Sequence, residues 1–188
     1  MKIGILALQG DFHEHQICFD KLDVETQLVR SLSEFENCDS LVIPGGESTA
    51  ISKLLISTKM DSAIVEKASE GFPIWGTCAG LILISNQIIE KDPVPLKLIN
   101  ITTSRNFYGR QIDSFVEKIH FEDANFEAIF IRAPKIVSTE RDIEVLSSTH
   151  DGTPVAVKSK NIFGTSFHPE LTDDLRIHKM FVDMTKNK

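Results

Sequence analysis

The sequence predicts an α/β protein: an open, mainly parallel, twisted sheet flanked by helices, with additional antiparallel strands late in the chain. Three observations carry this. Short apolar runs of strand length, residues 3–8 and Leu41-Val42-Ile43, are each followed by a helix-like stretch. These runs are apolar throughout, as expected of strands buried on both faces. Beyond Asp92-Pro93-Val94-Pro95 the pattern changes to short β-rich stretches separated by turns.

In chain order, residues 3–8 form the first strand. A helix over 11–22 comes next, with Phe12, His15, Phe19 and Leu22 at roughly helical spacing. Residues 24–29 alternate Val24, Thr26 and Leu28 with polar partners. The run at 41–43 is stopped by Pro44-Gly45-Gly46 and leads to a helix over 48–60. Residues 72–75 make a short strand, 76–80 a turn, and 81–89 a helix without a polar face. Strands are then expected at 98–103, 114–120, 128–131, 143–148, 155–158 and 162–167. Thr172 is placed to cap a last helix over 173–185, with Asp173 and Asp174 in its first turn and Leu175, Met180, Phe181 and Met184 facing inward.

The 188 residues suit one domain, 1–188, with one sizeable core. Composition is that of an ordinary globular chain, 41% hydrophobic and 25% charged. The net charge of −7 is interspersed and offers no basic block to follow a phosphate backbone, which argues against nucleic acid. Residues 71–89 carry no formal charge, but Pro73, Gly76, Gly80, Ser85, Asn86 and Gln87 interrupt them, so a buried strand, turn and helix fits better than a membrane span. Cys18, Cys38 and Cys78 are odd in number and unpaired in spacing, which points to a reducing, cytoplasmic setting. No export signal is read at the N-terminus.

Gly76-Thr77-Cys78-Ala79-Gly80, between a strand and an apolar helix, has the layout of a nucleophile elbow with Cys in place of Ser. Glycines permit the sharp turn, the helix N-terminus favours thiolate, and the Ala79 N–H faces a forming oxyanion. A thiol nucleophile needs a base. Among the six histidines, His168 stands out in Phe167-His168-Pro169-Glu170: in an extended segment residues i and i+2 share a side, so Glu170 can orient the imidazole. Pro44-Gly45-Gly46-Glu47-Ser48-Thr49 ends a strand and opens a helix, so Gly45 and Gly46 can supply a second oxyanion donor, or serve only as turn and cap. His13-Glu14-His15 at a helix start reads as helix surface rather than as a metal site.

Together with Ala7-Leu8-Gln9-Gly10, the stretch from Arg105 to Gln111, Phe130-Ile131-Arg132-Ala133-Pro134 and the run from Ser166 to Leu171, these motifs resemble the glutaminase subunits of pyridoxal 5′-phosphate synthase, class I glutamine amidotransferases of vitamin B6 biosynthesis. The resemblance covers nearly the whole chain and implies a flavodoxin-like sheet. It also implies Cys78 as nucleophile, His168 and Glu170 as the rest of a triad, a glutamine site drawn from Gly46, Glu47, Ser48, Arg105, Ile131 and Arg132, and a partner-sensitive Gln9 beside the oxyanion loop. An arginine for the α-carboxylate of glutamine fits that substrate, although a surface ion pair is the other reading of both Arg105 and Arg132. Phe107-Tyr108 and the link from Glu90 to Leu98 depart from the family's pattern.

The activity implied is hydrolysis of L-glutamine to glutamate and ammonia through a glutamyl thioester, with no metal or organic cofactor. The ammonia would pass to a synthase subunit that makes pyridoxal 5′-phosphate from ribose 5-phosphate and glyceraldehyde 3-phosphate, in a dodecameric core carrying glutaminases outside. Glutaminase activity would be low until that partner docks. A cysteine-elbow hydrolase of related fold and a non-catalytic regulatory module are the other two readings.

Overall fold

The computed structural model describes residues 1–105 and 114–187. Its strands are β1 (Lys2–Leu6), β2 (Glu25–Val29), β3 (Ser40–Ile43), β4 (Ile74–Thr77), β5 (Ser85–Ile88), β6 (Ile99–Ser104), β7 (Ser114–Phe121), β8 (Ala124–Ile131), β9 (Lys135–Thr139), β10 (Glu144–Ser148), β11 (Pro154–Ser159) and β12 (Ile162–Thr165). The helices are α1 (Phe12–Asp20), α2 (Leu32–Glu36), α3 (Ser48–Ser57), α4 (Met60–Ser69), α5 (Ala79–Ile84) and α6 (Arg176–Lys186), and Pro169–Leu171 forms a 3-10 turn.

Seven strands form the central sheet in the order β10-β11-β12-β4-β3-β1-β2. The pairs from β12 to β2 are parallel, and β10 and β11 extend the sheet antiparallel. Alternate residues of each central strand feed two cores, as the two-residue period of a strand requires. Leu6, Leu41, Ile43 and Ile74 pack with Phe35, Ile51, Leu55 and Ile64 on one face. Ile3, Ile5, Val42, Trp75 and Phe163 pack with Phe19, Phe167, Ile177 and Phe181 on the other. That double burial is why these strands read as unbroken apolar runs. Two smaller sheets flank the central one: β5-β6-β9, and the hairpin β7-β8, whose Ile119, Phe121, Phe126 and Phe130 join the second core.

The expected α/β class is thus observed, with local corrections. The helix expected over 48–60 ends at Ser57, and a second helix outside the expected set, α4, starts at Met60 after Lys59, whose backbone is left-handed at φ 59°. The apolar segment expected as one helix over 81–89 leaves helical geometry at Ser85, whose hydroxyl donates to the Ile82 carbonyl at 2.7 Å, and continues as strand β5 beside β6. A short apolar run fits a buried helix and a buried strand equally, so periodicity does not separate them. Strand β4 runs on through Gly76 and Thr77, shrinking the expected turn. Thr172 caps a turn rather than the last helix: it accepts from the Asp174 N–H at 3.3 Å, the Asp174 carboxylate accepts from the Arg176 N–H at 3.1 Å, and α6 begins after both acids. Like α4, the short elements α2 and β9 add to the expected set. Among the described residues, no helix is long and apolar enough to cross a membrane.

Candidate active site

Strands β4 and β12 are neighbours, paired Gly76 to Gly164 and Thr77 to Thr165, so the residues after both strands meet at the carboxyl edge of the sheet. Cys78 comes directly after β4, with its N–H donating to the Thr165 carbonyl at 2.9 Å. Its φ of +48° is rarely adopted by a residue with a side chain, and it lies between the end of β4 and the first turn of α5. Two glycines make that turn possible. A Cβ at Gly80 would sit 1.9 Å from the Ile43 carbonyl oxygen, and one at Gly76 would sit 2.5 Å from that of Gly80. The elbow expected from sequence is therefore built, with Ala79 opening α5 where first-turn N–H groups lack helical partners. The Cys78 thiol is almost wholly buried and lies 3.8 Å from the Ile131 carbonyl of β8.

His168 lies just beyond β12, and its N–H donates to the Ile129 carbonyl of β8 at 2.8 Å, so the hairpin fixes the backbone on which the imidazole stands. The imidazole Nδ1 meets Glu170 Oε1 at 2.7 Å. The link between them is the 3-10 turn rather than the extended segment expected, because Pro169 opens that turn. A tight turn also brings side chains two residues apart together. Among the described residues, Nε2 of His168 is buried with no hydrogen-bond partner. Burial pushes the imidazole's pKa down, but the neighbouring Cys78 and Glu170 side chains outweigh it and raise it to about 11. Burial likewise raises the Glu170 carboxyl, against the pull of His168.

The loop after β3 closes over this pair. A Cβ at Gly45 would fall 2.5 Å from His168 Cε1 and one at Gly46, at φ +151°, would fall 2.6 Å from Gln9 Oε1, so side chains are excluded at both positions. Gln9 accepts from the Glu47 N–H at 2.7 Å, which ties the segment after β1 to this loop. The Glu47 carboxylate caps α3, accepting from Thr49 N–H at 3.0 Å and Ala50 N–H at 2.7 Å. Arg105, at the end of β6, donates to Glu47 Oε1 at 3.1 Å, to Thr49 Oγ1 at 3.2 Å and to the Asp92 carbonyl at 2.9 Å. Burial works to raise the Glu47 carboxyl, but these donors outweigh it and the net shift is downward. Ser48 is buried in the first turn of α3. Ile131 and Arg132 are exposed beside the Cys78 thiol, with Arg132 in the left-handed region at φ 44°. Asn106 to Gln111, including Phe107-Tyr108, lie outside the described residues.

Against known proteins, the SNO glutamine amidotransferase family profile matches residues 5–187. The chain belongs to this glutamine amidotransferase family. The pyridoxal 5′-phosphate synthase subunit PdxT of Thermosipho africanus is 45% identical to it, over 99% of this chain and 100% of that one. The same-named protein of Corynebacterium jeikeium is 43% identical, over 100% and 98%. A solved structure described as a glutamine amidotransferase superimposes with TM-score 0.93 at 36% identity, covering 98% of each chain. PurLQS from Thermotoga maritima, at 15% identity and TM-score 0.71 over 99% and 97%, shares the fold alone.

In this amidotransferase four residues to which the sequence reading gives no role in the site touch or back it: Asp11, His15, Thr77 and His178. Asp11 lies with Oδ2 3.6 Å from His168 Nδ1. One donor atom each of Asp11, His168 and Glu170 fall within 4.8 Å of one another, close enough to hold a cation, but the 2.7 Å bond between His168 and Glu170 already engages two of the three. His15 is fully buried, which corrects its expected place on the helix surface, while His13 is exposed as expected. His15 lies behind Glu170 against Thr77 and His178. The signal is present in the sequence: His15, Cys18 and Phe19 share the buried face of α1 at i, i+3 and i+4.

Proposed function

We propose that Cys78, His168 and Glu170 hydrolyse L-glutamine in this chain, the glutaminase subunit of a pyridoxal 5′-phosphate synthase. The observation that carries the triad is the Cys78 elbow standing over a buried His168 whose far nitrogen is held by Glu170 at 2.7 Å. Cys78 Sγ attacks the side-chain carbonyl carbon, and the oxyanion is held by the Ala79 N–H and the Gly45–Gly46 loop. The His168 imidazolium gives its proton to the departing nitrogen as ammonia leaves. The neutral ring then takes a proton from water, and the resulting hydroxide cleaves the glutamyl thioester to glutamate and restores the thiolate. Glu170 keeps the ring's Nδ1 protonated and Nε2 aimed at the chemistry, the role of the acid in a Ser-His-Asp triad.

Gly46, Glu47, Ser48, Arg105, Ile131 and Arg132 form the glutamine pocket in this reading, with a guanidinium for the α-carboxylate. Two of them have a further part in this reading. Glu47 and Arg105 are bonded to each other, so Glu47 acts by holding the loop and Arg105 as much as by touching substrate.

Ammonia is lost or protonated unless delivered at once, so the product passes to a synthase subunit that builds the ring from ribose 5-phosphate and glyceraldehyde 3-phosphate. We place the glutaminase outside a dodecameric core, with Gln9, tied to the Glu47 N–H, as the residue through which docking acts on the oxyanion loop. Cys18, Cys38 and Cys78 are unpaired thiols, which suits a reducing cytoplasm. Glutamate release from L-glutamine, measured with the chain alone and after adding the synthase subunit, tests the reading. Release that rises strongly on addition is expected, and no release under either condition would overturn it.

A further inference from the structure

Behind the triad lies a polar cluster that the hydrolytic chemistry does not use. His15 on α1 and His178 on α6 are both fully buried, with Nδ1 of His15 and Nε2 of His178 3.0 Å apart. The other nitrogen of His15, Nε2, lies 3.2 Å from Thr77 Oγ1 and 3.5 Å from Glu170 Oε2. Among the described residues that second carboxylate oxygen has no hydrogen-bond partner, although Glu170's side chain is fully enclosed. Trp75 and Phe19 wall the cluster, with ring centroids 5.0 Å and 5.1 Å from that of His178. A buried, unpaired carboxylate oxygen is expensive, and the structure sets one ring nitrogen near it.

The tautomers are fixed by which atoms lack partners. Nδ1 of His178 is buried with no partner among the described residues. An N–H there would be an orphaned donor, so the proton belongs on Nε2, which donates to His15 Nδ1. His15 then carries its own proton on Nε2, facing Thr77 and Glu170. The reverse assignment would leave a buried N–H unsatisfied on His178 and set two acceptors, His15 Nε2 and Glu170 Oε2, against each other.

We propose that His15, held in this tautomer by His178, is a positioning residue for the triad: it donates from Nε2 to Glu170 Oε2 and so keeps the carboxylate ionised, with Oε1 turned to His168. The distance of 3.5 Å is at the long end for a hydrogen bond. This role rests on the glutaminase reading for its consequence but not for its geometry. The titratable groups facing Glu170 are His168 and Asp11 on the substrate side, His15 from α1, and Cys18, whose thiol lies 3.7 Å from the Glu170 carbonyl. Facing His15 are His178 and Glu170, and the charge of His168 also reaches it. Both buried histidines stay neutral, because burial foremost holds the His15 imidazole well below its usual value and lowers that of His178 to about 3. The donor is therefore present across the working pH range.

The test compares His15→Phe, which keeps a ring and removes the donor, with His15→Gln, whose side-chain amide can restore an N–H near Nε2. In the complex with the synthase, His15→Phe should lower kcat for glutamine hydrolysis about ten-fold with KM little changed. The acid limb of the pH profile should move to higher pH, because Glu170 loses a partner of its ionised form. His15→Gln should recover most of the rate. An independent readout is the rate of Cys78 alkylation by iodoacetamide against pH, in the full chain without glutamine. Its profile should shift in His15→Phe and return in His15→Gln, even if glutamine proves not to be the substrate. A folded His15→Phe with unchanged kcat and unchanged profiles would overturn the proposal. So would a folded His15→Gln as impaired as His15→Phe, which would make the role one of packing.

Discussion

Cys78 and His168 leave adjacent strands at the middle of the central sheet, whereas Arg105 and Arg132 reach the same rim from the three-stranded sheet and the β7-β8 hairpin. The two groups are held differently. Around Cys78, His168 and Glu170 the packing is tight: Gly80 and Gly76 have no room for a Cβ against neighbouring backbone, Gly45 has none against the His168 ring, and His168 and Glu170 are buried. The Arg105 guanidinium is held by hydrogen bonds to Glu47, Thr49 and Asp92, and the Glu47 carboxylate is more than half exposed. The difference shows where precision is needed. Bond making requires fixed atoms, while substrate capture tolerates a clamp that water can reach.

That contrast can be broken by mutation, starting with the largest effect. Cys78→Ala should reduce glutamate release by the partnered chain about ten-thousand-fold or more while leaving partner binding intact. Residual turnover within a factor of ten of wild type would move the chemistry away from the sheet. Next, Gly80→Ala drives a methyl into the Ile43 carbonyl and should destabilise the fold by about 3 kcal/mol, a fall of roughly 6–12 °C in Tm by calorimetry. An unchanged Tm would mean that the elbow yields more easily than its spacing implies.

Acid titration reads the buried side of the triad. His15 and His178 have pKa values lowered by burial, so their neutral forms stabilise the fold above about pH 6.5, and that stability is lost as pH falls. Each adds up to about 1.4 kcal/mol per pH unit to the slope between pH 6.5 and 5. His168, raised to about 11, contributes stability that is full below its unfolded value and lost as pH rises toward 11, so it adds no slope in this window. Glu170, raised by burial, titrates in the opposite sense to the two histidines and offsets part of their effect. Urea unfolding midpoints should therefore fall from pH 6.5 to 5 in wild type and fall less steeply in His178→Phe.

The smallest effect belongs to the clamp. Arg105→Ala should raise KM for glutamine about ten-fold with kcat within a factor of a few, as expected when uniform binding is removed. A kcat loss as deep as that of Cys78→Ala would instead make the clamp part of the catalytic machinery.

The same division governs how much of the molecule is legible in the sequence. The elbow and the His168–Glu170 pair are encoded within five residues each, and local chemistry names them. Gly45 and Gly46 are legible as a loop, but the contact of Gly45 with His168 depends on β3 lying beside β4 and on β12 lying on the far side of β4, a strand order that no local pattern states. Asp11 and His178 join the site only through that order and the docking of α6. His15 falls on the apolar spacing of α1 and yet reads as a surface residue, because His13 and Glu14 beside it are polar; helical period, not neighbours in sequence, decides burial. Residues 81–89 read as one helix because the apolar run at 81–84 has no period to separate helix from strand.

The most direct test of the account is to trap the intermediate. The chain, mixed with its synthase partner and L-glutamine, is quenched in acid during turnover and the peptide containing Cys78 is weighed by mass spectrometry. A mass increase of one glutamyl group on that peptide, reversed by hydroxylamine and missing in Cys78→Ala, is the expected result. Glutamate forming at full rate with Cys78 unmodified, and continuing in Cys78→Ala, would contradict it.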